Sequence, residues 1–188
     1  MRRSSIFAVL AVAGFAAGSA QAAVSVMGNT SARACYESAL NERARASDIR
    51  MCTDAIEDRM ITGRDRVASY VNRGILYVQN GDYERAIADY DRAIALDDGE
   101  PEAYLNKGLA LLHQREALPE VVSLLTIAIE NGTREPALAY YGRGVAHEMN
   151  GDVSSAYYDI RRATDIAPEW DVPARDLARF RVVGGRGG

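Results

Sequence analysis

A repeat through the middle of the chain constrains its fold more than any single residue does. Tyr70-x-x-x-Gly74, Tyr104-x-x-x-Gly108 and Tyr140-x-x-x-Gly144 recur with glycine steps of 34 and 36 residues. Each is followed by a second apolar stretch, Tyr90-x-x-Ala93-Ile94, Leu125-x-x-Ala128-Ile129 and Ile160-x-x-Ala163, whose first alanines lie 35 apart in both steps. Self-similarity at such a period marks stacked supersecondary units. One unit cannot cover its own apolar face, so neighbours must stack, giving a continuous core and a continuous concave surface.

The punctuation makes each unit a helix pair. Asn80-Gly81-Asp82 and Asn150-Gly151-Asp152 are turn signals between the two apolar stretches of the first and third units, and a longer turn over 114–119 does the same in the second. Pro101 and Pro136 open helices, where the missing N–H has no partner to lose, and Pro168 closes the last unit. Helix A of the first clear unit is expected from Asp65 to Gln79 and helix B from Tyr83 to Leu96. Gly74, Gly108 and Gly144 fall inside helices, where each costs up to about 1 kcal/mol relative to alanine. Close approach of a neighbouring helix offsets that cost, with Ala86, Ala93, Ala156 and Ala163 keeping the facing surfaces thin.

The first 22 residues read as a signal peptide. Arg2-Arg3 is a short basic start, an apolar run follows from Ile6 to Ala17, and Ala20-Gln21-Ala22 has the small-x-small form of a cleavage site. The run is too short to span a bilayer, so a soluble periplasmic or secreted chain beginning near Ala23 is expected, with no membrane span after cleavage. General export is favoured over the twin-arginine route, because Ser4-Ser5-Ile6 fits the latter poorly. In an oxidising compartment Cys35 and Cys52 are expected to pair. Two buried thiols, or a zinc site lacking nearby histidines, are the alternatives. Two short helices, about 31–41 and 47–60, surround these cysteines. They form a degenerate pair over 23–64, because Tyr36 leads Tyr70 by 34 while Cys52-x-x-Ala55-Ile56 leads Tyr90-x-x-Ala93-Ile94 by 38.

The segment from about Arg66 to Pro168 resembles tetratricopeptide repeats. It supplies Tyr70, Gly74, Ala86, Tyr90 and Ala93 in its best unit, and Tyr140, Gly144, Ala156, Ala163 and Pro168 in its last. The resemblance implies an all-α solenoid of antiparallel helix pairs over 65–168, with units at about 67–100, 101–136 and 137–168. A C-terminal capping helix over 169–183 is expected to turn Leu177 and Phe180 inward, with Arg175, Asp176, Arg179 and Arg181 outward, before a Gly-rich disordered tail over 184–188. The resemblance further implies a groove lined mainly by helix A: Val71, Asn72 and Ile75, then Leu105, Asn106 and Leu109, then Tyr141 and Val145. Some family members clamp an acidic C-terminus there. Asn72 and Asn106 match the clamp's asparagine, but Val71, Ile75, Leu138 and Gly142 stand at its cationic positions, so these asparagines are expected to bond neighbouring backbone or solvent instead.

Composition narrows the function. The net charge is −4 and no basic patch stands out, so nucleic acid is not the expected partner. No cofactor or metal site and no catalytic residue is assigned. His147-Glu148 lacks a second metal-binding histidine, His113 stands at a different repeat position, and no Gly-x-Ser-x-Gly elbow occurs. Asp89, Asp91, Asp97 and Asp98 read as a solvated helix face. The expected function is an exported adaptor or assembly factor whose groove binds a protein or peptide segment. Self-association is the second reading and hydrolytic catalysis the third.

Overall fold

In the computed structural model, which describes residues 5–8, 22–26 and 30–183, the repeat takes shape as antiparallel helix pairs. The degenerate pair is α1 (Thr30–Leu40) and α2 (Ala46–Glu57). Three regular pairs follow: α3 (Gly63–Gln79) with α4 (Tyr83–Leu96), α5 (Pro101–Gln114) with α6 (Leu118–Glu130), and α7 (Pro136–Met149) with α8 (Val153–Ile166). Among these eight helices, the extensive contacts join sequence neighbours or successive first helices, α1 with α3, α3 with α5 and α5 with α7. This is the one-dimensional packing of a solenoid, and the fold class is all-α as expected.

Local chemistry fixes the ends. Thr62 Oγ1 accepts from the Asp65 N–H at 3.1 Å, Asp82 from Arg85 at 3.1 Å and Asp152 from Ser155 at 3.0 Å, each satisfying a donor left free by the first helical turn. Gly81 and Gly151, at φ 75° and 82°, make the left-handed turn that each Asn-Gly-Asp announces. At Gly144 an added Cβ would lie 2.8 Å from Ile160 Cγ1 and 3.2 Å from the Ile160 backbone nitrogen, so the glycine sets how closely α7 and α8 approach. Cys35 and Cys52 form a disulfide joining α1 to α2, with both residues fully buried.

A second periodic device was not anticipated. The Arg73 guanidinium donates two 2.7 Å bonds to Asp89 of α4 and one of 2.9 Å to Thr53 of α2. Arg143 repeats this two helix pairs later, with 2.7 and 2.8 Å bonds to Asp159 of α8 and one of 3.0 Å to Thr126 of α6. Between them, Lys107 Nζ lies 2.9 Å from both Asp91 of α4 and Glu120 of α6. Each cation therefore ties its own helix B to the preceding one. This corrects the reading of Asp89 as solvated, since Asp89 is buried; Asp91 is exposed as expected and is also paired with Lys107. Burial pushes the Asp89 carboxyl up, and its two bonds to Arg73 oppose that shift.

The C-terminal helix is shorter than expected. α9 spans Asp171–Leu177, and from Phe180 the chain is extended as β2 (Phe180–Val183), antiparallel to β1 (Ser5–Ala8). Val182 and Val183 favour extended backbone over helix, which accounts for the early stop. Phe180 is buried against Tyr157, as its inward assignment required. Arg179 and Asp176 do not face solvent as expected: Arg179 makes two bonds to Glu148, at 2.9 and 3.1 Å, and Asp176 accepts from the Tyr141 hydroxyl at 2.6 Å. Of the expected leader only Ser5–Ala8 and Ala22 are among the described residues, and the Gly-rich stretch 184–188 lies outside them.

Candidate functional site

The concave surface is formed by the first helices of the units, and an extended piece of the same chain already lies on it. Val24 is 1% exposed and packs in one apolar cluster with Val71 and Ile75 of α3. Ala22, 6% exposed, belongs to the neighbouring cluster with Leu105 and Leu109 of α5. Residues 22–26 have no regular secondary structure of their own, and Ser25, between Val24 and Val26, is exposed.

Two asparagines hold this strap by its main chain. The Asn72 amide accepts from the Val24 N–H at 2.9 Å and donates to the Val24 carbonyl at 2.8 Å. Asn106 donates to the Ala22 carbonyl at 3.1 Å, while its own carbonyl oxygen is buried without a partner. Asn72 thus gives Val24 both bonds that a neighbouring β-strand would give, and a buried main chain needs them satisfied. These asparagines bond backbone, but not the neighbouring backbone expected: it belongs to a segment 48 and 84 residues away in sequence.

The structure therefore places the eight expected groove residues on successive first helices but does not leave them open. Val71, Asn72, Ile75, Leu105 and Asn106 are fully buried, and Leu109 is nearly so. In the third unit, Tyr141 packs edge-on against Trp170, with ring centroids 5.1 Å apart, and donates to Asp176, so the C-terminal segment covers this end. Burial and the Asp176 carboxylate together keep the Tyr141 phenol protonated well above its usual range. Val145 remains half-buried. Glu102, one turn before Asn106 on α5, is fully buried with its Oε1 accepting from the Arg134 N–H at 2.9 Å. Burial and the adjacent Glu102 push the Glu100 carboxyl up to about 7.

The histidines lie apart in function as in sequence. His113 stacks on Tyr83 with centroids 4.9 Å apart, and His147 sits 3.8 Å from Asp152 and 3.9 Å from Asp159. Among the described residues no three His, Cys, Asp or Glu side chains group as metal ligands, and no helix is long and apolar enough to cross a membrane. Two sets of residues escaped the sequence reading. The cations Arg73, Lys107 and Arg143 each directly precede a helix A glycine, and that recurrence was a usable signal. Ala22 and Val24 carried only a weak one, the alternation Ala22-x-Val24-x-Val26.

The stacked pairs, the helix A glycines and the concave asparagines define a tetratricopeptide-repeat solenoid. Residues 74–114 match the TPR repeat family and residues 122–169 the tetratricopeptide repeat family. Residues 74–114 and 122–169 are thus TPR repeats, a fold that typically serves as an interaction scaffold. Solved structures agree on the architecture. MamA superposes with a TM-score of 0.65 at 18% identity, over 81% of this chain and 82% of MamA. The Arabidopsis OM64 TPR domain gives 0.59 at 20% identity, over 63% of this chain and 96% of that domain. The second TPR domain of human RPAP3, solved in complex with the HSP70 peptide SGPTIEEVD, gives 0.58 at 25% identity, over 63% of this chain and 97% of that domain. No curated protein sequence matches the chain.

Proposed function

We propose that this protein is an exported interaction scaffold of the cell envelope, an adaptor or assembly factor that holds an extended segment of a partner protein on its concave face. The observation that carries the reading is the two-bond grip of Asn72 on the main chain of Val24, since this face demonstrably fits an extended polypeptide. The second TPR domain of RPAP3, which is similar in fold, is solved in complex with an HSP70 peptide, which supports a peptide or protein partner. The ligand class differs here. An acidic C-terminus needs cations to neutralise its carboxylates, whereas Val71, Ile75, Leu138 and Gly142 are buried and uncharged. An apolar or mildly basic segment suits this surface.

A photo-crosslinking residue at Val145 is expected to yield a discrete adduct with one envelope protein, lost on Leu109→Glu. The same group at the exposed Tyr158, on the outer helix α8, is expected to yield none. Adducts from Tyr158 alone, or adducts indifferent to Leu109→Glu, refute the groove. Amino-terminal sequencing of the exported form is expected to begin at Ala23, and an unprocessed cytoplasmic chain refutes the envelope assignment.

A further inference from the structure

We propose that residues 22–26 of the unprocessed chain, of which 23–26 remain after cleavage before Ala23, are a built-in competitor for the groove. The site takes an extended polypeptide gripped through its main chain, with a small residue and a β-branched apolar residue two positions apart, and an outside ligand of that pattern enters as the strap leaves. The proposal rests on the groove reading above and assigns both the ligand pattern and its regulation.

The recognition chemistry is on the page. Asn72 bonds to the N–H and C=O of one residue, so it selects extended backbone rather than a particular side chain. In an extended chain alternate side chains share a face, and here the face toward the helices carries Ala22 and Val24, both buried, while Ser25 points to solvent. A small side chain is thus matched to the α5 cluster and a β-branched one to the α3 cluster. The strap crosses from α5 to α3 as its numbering rises, toward α1, to which it is joined by residues 27–29.

The same geometry shows why the strap is displaceable. Asn106 is used at half capacity before cleavage, one bond to Ala22, with its carbonyl oxygen buried and unpartnered among the described residues, and cleavage before Ala23 removes that one bond. A buried acceptor without a donor destabilises the complex that contains it. A ligand that offers its N–H and C=O to Asn106 as Val24 does to Asn72 makes one bond more than the unprocessed strap makes and two more than the processed one. The strap's advantage is its short tether to α1, which gives it a high effective concentration at the groove.

The test is fluorescence anisotropy with a labelled acetyl-Ala-Ala-Val-Ser-Val-amide peptide on the exported chain beginning at Ala23. Wild type is compared with Val24→Asp, which puts a carboxylate into the apolar cluster, and with Val24→Pro, which removes the N–H donated to Asn72. Both variants are expected to bind the peptide at least tenfold more tightly than wild type, and Asn72→Ala in the Val24→Asp background to abolish the gain. Equal affinity of wild type and both variants overturns the strap as competitor while leaving the groove reading intact. Binding to none of the three overturns the ligand pattern, and binding indifferent to Asn72→Ala overturns the site. Loss of the helical circular-dichroism signal in both variants makes the strap a core element and also overturns the proposal. Light scattering decides between one copy and two: a concentration-dependent wild-type dimer that Val24→Asp abolishes overturns the intramolecular assignment.

Discussion

Gly144→Ala puts opposing effects of known size against each other at the α7/α8 contact. Alanine is favoured over glycine within a helix by about 1 kcal/mol. Against this, the new methyl carbon would stand 2.8 Å from Ile160 Cγ1, 3.2 Å from the Ile160 nitrogen and 3.3 Å from the Ala156 carbonyl oxygen. Carbon atoms rest at about 3.5–4.0 Å, so something must yield by roughly half an ångström or more. Two of the three neighbours are main-chain atoms of α8, which no rotamer change can move aside. Overpacking of this kind costs about 1–3 kcal/mol, and the rigid neighbours place the cost at about 3. The net loss is about 2 kcal/mol, or a fall in Tm of roughly 4–8 °C for a chain of this length. Gly108→Ala is the control, because its added carbon meets only side-chain atoms, Leu125 Cδ2 at 2.9 Å, Leu125 Cγ at 3.0 Å and Leu124 Cβ at 3.5 Å. It is expected to change Tm by less than half as much. Thermal melts followed at 222 nm measure both. A Gly144→Ala protein as stable as wild type, or more stable than Gly108→Ala, refutes the reasoning that backbone contact sets the helix spacing.

Two other perturbations address charge. Arg73→Met strands the buried Asp89 carboxylate and is expected to destabilise the chain by about 3 kcal/mol, whereas Arg85→Ala, at an exposed pair with Asp82, is expected to leave stability nearly unchanged. Urea unfolding reads the difference, and equal effects would remove the cation ladder from the account of stability. The Glu100 carboxyl, raised in the folded state to about 7 from an ordinary 4.5, favours the fold when protonated. Its contribution is complete below about pH 4.5 and is lost as pH rises through about 7. Glu100→Gln is expected to narrow the Tm gap between pH 5 and pH 8, and an unchanged gap means that Glu100 does not carry it.

What the sequence made legible was whatever recurs or acts locally. Glycine and alanine spacing located the helix contacts, because a close approach excludes larger side chains at each repeat. Asn-Gly-Asp located two turns because φ near 80° suits glycine. The Arg73–Asp89 bond was hidden for a different reason. Its partners are 16 residues apart on opposite sides of a turn, outside the spacings at which helix neighbours meet. The strap was less legible still. Its five small or apolar residues begin with the last residue of the leader pattern, and nothing local distinguishes chain that docks on α3 from chain that trails away. The C-terminal extension misled because Leu177 and Phe180 suit a helix face and an extended edge equally, and only the valines beyond them argued for the latter.

The Cys35–Cys52 bridge has a consequence beyond the pair that it joins. The strap leaves the groove toward α1, and α1 is fastened to α2 at the end of the stack, where neighbours lie on one side only. Where thiols are kept reduced, that end loses its covalent link and keeps only packing and hydrogen bonds such as Arg73 to Thr53. On the proposal that the strap leaves the groove, oxidation is expected to tighten the leash, and the redox state of the surroundings to tune how readily the hollow of the superhelix is vacated.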